Sequence, residues 1–232
     1  MKVYGYNAVS EALKAEKVSK IYVSSEISEK IKKILEKAKK KRIPIYKVED
    51  FREKIAAEVS PVSFVDLDHL IQRALNQNNF ILILDNVTDQ RNLGACLRSA
   101  EFFGAAGVLI PKRRVASIEE GAIKTSAGAV FHIPIAREEN LASAIKKMKK
   151  MGFFVLALDL DGKSDLSEVD VSPPIALVIG GEDKGISLPV KSQCDEVVKI
   201  KGFGKVDSLN LAVVAGIAMY EVVKKMVMRK HI

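Results

Sequence analysis

From Phe80 onward the chain repeats one pattern: a bounded apolar run, a polar turn, then apolar residues at helical spacing. Phe80-Ile81-Leu82-Ile83-Leu84 carries no polar residue and stops at Asp85-Asn86. A strand with one wet face alternates apolar and polar, whereas an uninterrupted run must be covered on both faces, as in a parallel sheet flanked by helices. Similar runs stand at Val108–Ile110, Phe153–Leu158 and Ile175–Ile179, and Phe131–Ile135 and Val197–Ile200 also read as strands. Helical patterns fall between them, over 92–103, 138–151 and from about Ser208 to Val227, and Ser117-Ile118-Glu119-Glu120 has the form of a capping box opening a helix toward Thr125. The expected class is α/β with a mostly parallel sheet.

The first 76 residues alternate in the same way on a smaller scale. Helices are expected over 7–15 (Asn7 as N-cap), 28–41 and 66–75, and strands at Ile21–Val23 and Ile43–Val48. Asn76-Gln77-Asn78-Asn79 is polar and unpatterned, and reads as the boundary between a unit 1–76 and a unit 77–232. The smaller unit holds 16 Lys and Arg against 11 Asp and Glu, so it carries most of the net charge of +8. That excess favours encounter with a polyanion such as nucleic acid. Basic runs at Lys37-Ala38-Lys39-Lys40-Lys41-Arg42 and Lys112-Arg113-Arg114 are candidate RNA contacts, or solvated surface.

Several function classes drop out. No apolar run approaches the roughly 20 residues that span a bilayer, and the N-terminus lacks a signal-peptide core, so a cytoplasmic protein is expected. Cys96 and Cys194 stand alone, and His69, His132 and His231 are scattered, so no metal centre is expected. No P-loop sequence occurs. Gly202-Phe203-Gly204-Lys205-Val206-Asp207 has Asp where a dinucleotide fingerprint needs its third glycine, which counts against a nicotinamide oxidoreductase.

Three segments remain at strand ends, where α/β proteins bind ligands. Asn92-Leu93-Gly94-Ala95-Cys96-Leu97-Arg98 sets a carboxamide at a helix start and a guanidinium about a turn and a half later. Gly180-Gly181-Glu182-Asp183-Lys184-Gly185 has the glycines of a ligand loop, but its two carboxylates would repel a phosphate and suit a cationic ligand such as a sulfonium. Ser208-Leu209-Asn210 opens the last helix, where Asp207 or Ser208 would serve as an ordinary N-cap.

Taken together, Ile83–Ile110, Ala176–Ser187 and Val198–Glu221 resemble the three motifs of the SpoU-type RNA ribose 2′-O-methyltransferases of the SPOUT superfamily. Thr125-Ser126-Ala127-Gly128-Ala129 resembles the small-residue loop of that family, and Tyr4–Leu13 is similar to the small α/β, ribosomal-protein-like domain that precedes the catalytic domain in many members. A departure stands at Glu58-Val59-Ser60-Pro61-Val62, where members often carry His-Gln-Gly; the target RNA stays open on that account.

The resemblance implies a C-terminal deep trefoil knot over about residues 175–215, a homodimer with the site near its interface, and methyl transfer from S-adenosylmethionine to a ribose 2′-hydroxyl. A guanosine of large-subunit ribosomal RNA is the expected target, with transfer RNA as the alternative and a non-catalytic RNA-binding or ribosome-assembly factor as the rival. It implies catalytic roles for Asn92, Arg98, Glu182, Ser208 and Asn210, and cofactor contacts from Gly128, Ile179, Gly181, Gly185, Ile200 and Leu209. Arg98 matches the arginine proposed to take the hydroxyl proton, but a guanidinium with a pKa above roughly 12 is a poor acceptor. Gripping an RNA phosphate and stabilising the emerging oxyanion is the second role open to it.

Overall fold

A computed structural model of the chain describes residues 1–49 and 51–229, and His231 lies outside them. The elements run β1 (Lys2–Tyr4), α1 (Tyr6–Lys14), β2 (Val18–Val23), α2 (Glu29–Lys40), β3 (Ile45–Lys47), β4 (Ile55–Val59), α3 (Leu67–Gln77), β5 (Phe80–Asp85), α4 (Gln90–Phe102), β6 (Gly107–Pro111), α5 (Glu120–Thr125), β7 (Ile135–Glu138), α6 (Leu141–Lys150), β8 (Phe154–Leu158), β9 (Ser164–Asp165), β10 (Ile175–Gly180), α7 (Leu188–Lys191), β11 (Glu196–Lys199) and α8 (Leu211–Arg229). They form a four-stranded sheet ordered β1-β4-β2-β3 and a seven-stranded sheet ordered β7-β6-β5-β10-β8-β11-β9. Every neighbouring pair in the larger sheet is parallel.

The uninterrupted apolar runs are explained by two cores. Phe80, Leu82 and Leu84 of β5 and Ile175, Leu177 and Ile179 of β10 enter one, with α4 and α8. Their neighbours Ile81, Ile83, Ala176 and Val178 enter the other, with α3 and α6. Burying one such Leu or Ile side chain contributes about 1.5–3 kcal/mol, so neither face tolerates a polar residue in these central strands.

Four local expectations are corrected. Asn76–Asn79 is not a linker: Asn78 closes α3 in the left-handed conformation (φ 47°), and Asn79 accepts a bond from the Phe80 N–H at 2.8 Å. The apolar face of α3 (Leu67, Leu70, Ile71, Ala74) lies in the second core of the larger sheet, so by packing α3 goes with the unit that follows it. Gly5, not Asn7, stands at the N-cap of α1. Helix α5 starts late, with Glu119 as N-cap; the Ser117 hydroxyl accepts a bond from Gln90 Nε2 instead. The run Phe131–Ile135 is only partly a strand. Residues Ala129–Phe131 form a 3₁₀ turn after Gly128 (φ 89°), and β7 begins at Ile135 because the chain is still turning before Pro134.

Candidate active site

The registers bring the three ligand-loop segments to one sheet edge. In the adjacent strands β5 and β10, Asp85 is paired with Gly180, so the loops that follow them leave side by side. The loop after β11 rises from the same C-terminal edge, two strands away. This is the edge at which open parallel sheets bind ligands.

The turn 181–185 is pinned from below. Gly181 donates its N–H to the Asp85 carbonyl at 2.8 Å, and Gly185 donates back to Gly181 at 2.8 Å. The Asp85 carboxylate, almost fully buried, accepts from the Ser187 N–H at 2.8 Å. Asn86 Nδ2 donates to the Gly185 carbonyl at 3.3 Å. Approach is so close that a Cβ on Gly181 would sit 2.0 Å from the Asn86 oxygen. Only glycine fits there, and the requirement is steric, not conformational.

One side chain ties the three segments together. Asn210 Nδ2 donates to Glu182 Oε1 at 3.0 Å and to Asn92 Oδ1 at 3.2 Å. Its own Oδ1 accepts from the Ala212 N–H at 2.9 Å, so Asn210, and neither Asp207 nor Ser208, caps α8. Asn92 is held in turn by the start of α4. There the Asp89 carboxylate accepts from the N–H groups of Asn92 and Arg91, which pull its pKa below the usual range. Below this cluster burial pushes the Cys96 thiol up to about 12, with the Glu182 charge adding to the shift.

The remaining expected residues are distributed as follows. Ser208 and Leu209 lie in the loop 201–210, every residue of which is exposed. Ile200, at its root, is half-buried. The Ile179 side chain is committed to the core, so only its backbone faces the edge. Gly128 is placed against α1, where an added Cβ would meet the Glu11 side chain at 2.5 Å; it serves the contact between the two units. Arg98 is exposed and lines a separate cleft of about 480 Å³ with Asn7, Glu11, Phe102, Ser126 and His132. Across that cleft Glu11 and His132 meet at 3.0 Å, joining the two units. Lys112 and Arg113 stand 3.8 and 3.9 Å from Glu139 in an exposed loop.

Sequence reasoning passed over Asp85, Asn86, Asp89 and Asp159. The first had a readable signal, an acid closing an otherwise apolar run. Asp159 places a carboxylate oxygen 3.7 Å from where a Gly185 Cβ would be, beside Lys191 at 3.0 Å. Its charge is met by Lys191, which leaves the exposed Glu182 as a carboxylate in the turn 181–185 without an ion pair among the described residues. A carboxylate in this position favours a cationic ligand over a polyphosphate. Among the described residues no cluster of His, Cys, Asp and Glu could hold a metal, and no helix is long and apolar enough to cross a membrane.

Comparisons with known proteins converge. The description "SpoU rRNA Methylase family" matches residues 79–220, and "RNA 2'-O ribose methyltransferase substrate binding" matches residues 2–61. A protein of Archaeoglobus fulgidus named an uncharacterized tRNA/rRNA methyltransferase is 60% identical over 220 residues, covering 95% of this chain and 97% of its own. A putative TrmH family tRNA/rRNA methyltransferase of Bacillus subtilis is 38% identical, covering 96% and 95%. Among solved structures, the SpoU methyltransferase AviRb from Streptomyces viridochromogenes, in complex with AdoMet, superposes with a TM-score of 0.83 at 24% identity over 97% of this chain and 90% of its own. At that identity the likeness speaks for the fold.

Proposed function

The chain belongs to the SpoU rRNA methylase family, an S-adenosylmethionine-dependent class of RNA methyltransferases, and from that premise we propose that it methylates a ribose 2′-hydroxyl in RNA. The observation that carries the reading is the Asn210 carboxamide, which joins Asn92 and Glu182 from two other segments at 3.2 and 3.0 Å. Asn210 also caps α8, but its bonds to Asn92 and to the exposed Glu182 go beyond what a cap needs.

S-adenosylmethionine supplies a methyl already activated by its sulfonium charge. The backbone of Gly181 and Gly185, with Ile200 and Leu209, would hold its adenosine, and the Glu182 carboxylate would favour its positive end. What remains for the protein is to hold the ribose hydroxyl in line and to stabilise negative charge on it as the proton leaves. Arg98 suits this as a permanent cation that also grips the adjoining phosphate. Water or that phosphate takes the proton.

Within one chain Arg98 opens on its own cleft, away from the Asn210 cluster. A second copy closes the gap in this reading. Helices α4 and α8 pack together and leave Phe102, Val213 and Tyr220 exposed at 79%, 48% and 54%. An apolar face of this kind suits burial against a second copy of the chain. The homodimer, a knot threaded over residues 175–215, and a cytoplasmic site of action complete the proposal. Residues 1–76 would recognise RNA and 77–232 catalyse, with α3 packed on the catalytic side. A guanosine of large-subunit ribosomal RNA is the first candidate target and transfer RNA the second.

The test is transfer of labelled methyl from S-adenosylmethionine to fractionated ribosomal and transfer RNA, followed by alkaline hydrolysis. A 2′-O-methyl group blocks cleavage, so label is expected in alkali-resistant dinucleotides, and Arg98→Ala is expected to abolish it. Label in mononucleotides would mean methylation of a base. No label in any RNA would favour the binding-factor rival.

A further inference from the structure

The four-stranded sheet has one face in the core and one face open, and the open face is ordered in rows. In β4, Ile55, Ala57 and Val59 enter the core shared with α1 and α2, while Ala56, buried at 3%, and the half-buried Glu58 alternate to the other face. The registers place Tyr4 opposite Ala56, Ala56 opposite Tyr22, and Tyr22 opposite Tyr46, one row across all four strands. The next row is Lys2, Glu58 and Lys20.

We propose that this face is a platform for single-stranded RNA, with a base stacking on Tyr46 at the end of the tyrosine row and phosphates held by Lys2 and Lys20; the proposal rests on the RNA methyltransferase reading and assigns the surface that reads the strand. Tyr22 and Tyr46 already stack on each other, with centroids 5.6 Å apart and planes 25° from parallel. Tyr46 is 47% exposed at the sheet edge. The Lys2 ammonium lies 4.8 Å from the Tyr22 ring centre, a cation at the aromatic surface where a phosphate would pass. With Tyr22 covered by Tyr46 and Lys2, the outer face of the exposed Tyr46 ring is the place for a base to stack.

The one acid in the face is engaged. Glu58 accepts from the Tyr22 hydroxyl at 2.6 Å and stands 3.2 Å from Lys20, so it fixes the ring and leaves the face net positive. The chemistry selects an unpaired strand, because a duplex hides the base faces that stack on aromatic rings. Charge complementarity selects nucleic acid, since residues 1–76 carry the larger share of the chain's positive excess.

The chain contains no tryptophan, so Tyr46→Trp in the full-length protein introduces a single indole reporter on the face. The probe is a ten-nucleotide single-stranded RNA of mixed sequence, with its duplex as control. The single strand is expected to quench the indole emission and the duplex to leave it unchanged. By anisotropy, Tyr46→Ala is expected to weaken single-strand binding about tenfold and Tyr46→Phe by less than about twofold, with S-adenosylmethionine affinity unchanged in both. Binding of the RNA without quenching, or without loss in Tyr46→Ala, would place the strand elsewhere and overturn the proposal. Quenching by an acidic peptide but not by RNA would overturn it in favour of a protein partner, and self-association lost in Tyr46→Ala would do so in favour of a second copy. If the chain binds S-adenosylmethionine but no RNA of any kind, the underlying reading fails and this inference goes with it.

Discussion

Two loops leave the same edge of the seven-stranded sheet and are held in opposite ways. The turn 181–185 is fixed by Asp85, Asn86 and a glycine packed to the limit of contact. The loop 201–210 is exposed along its whole length, with Phe203 and Val206 at 91% and 81%. Its two ends are tied, Lys201 N–H to Asp165 at 2.9 Å and Asn210 to Glu182 and Asn92, and the span between is free to adapt. On the proposed function, the difference would give the methyl-donor pocket one preorganised wall and one wall that forms around its ligand. Preorganisation lowers the cost of binding, while an adaptable wall can close on the ligand and exclude water.

The largest expected effect comes from the rigid wall. Gly181→Ala drives a Cβ into the Asn86 carbonyl, and overpacking of this kind costs about 1–3 kcal/mol. Titration calorimetry should show S-adenosylmethionine affinity falling by about 10- to 100-fold. Gly204→Ala, in open space in the free loop, should change it less than about twofold. Equal losses in the two variants would erase the distinction between the walls.

Next is the tie between them. Asn210→Ala removes the bonds to Asn92 and Glu182 and the cap of α8, and steady-state turnover should drop about tenfold or more. The cap itself accounts for only about 1 kcal/mol of stability, so a loss confined to melting temperature would make Asn210 structural. A smaller effect is expected at Asp85→Ala, which strands the half-buried Ser187 N–H; denaturant unfolding should register about 1–3 kcal/mol.

The last expectation is an absence of reaction. Burial and the Glu182 charge push Cys96 to about 12, and burial and Asp195 push Cys194 to about 12. Raised pKa values keep both thiols protonated through neutral and mildly alkaline pH, so a thiol reagent at pH 8 should label neither until the chain unfolds. Rapid labelling of native Cys96 would mean that α4 and the Glu182 turn separate readily, contrary to the pinned wall.

Much of the site was legible because its chemistry sits in short local segments. Phe80–Leu84 and Ile175–Ile179 announced strands buried on both faces, and Asn92, Glu182 and Asn210 stood where such strands end. What was illegible depended on distant partners. Asp207, Ser208 and Asn210 are all able N-caps, and the choice falls to Asn210, whose bonds to residues 118 and 28 positions away fix it in place. The polar run Asn76–Asn79 looks like a linker, and only the packing of Leu67, Leu70 and Ile71 on the larger sheet says otherwise. Gly128 was matched to the cofactor, yet its neighbours here are Glu11 and Ala8 of the first unit. Likewise, spacing alone gave no sign that Arg98 opens on a cleft of its own, apart from Asn92 on the same helix.

Hydrogen exchange of the backbone amides, read with and without S-adenosylmethionine, tests the two-wall pocket most directly. Amides of Gly181 and Gly185 should be protected already in the free protein and change little. Those of Lys201–Asn210 should exchange fast when free and slow markedly on addition of the methyl donor. Unchanged exchange across 201–210 at saturating donor, or protection appearing at another edge of the sheet, would contradict the account.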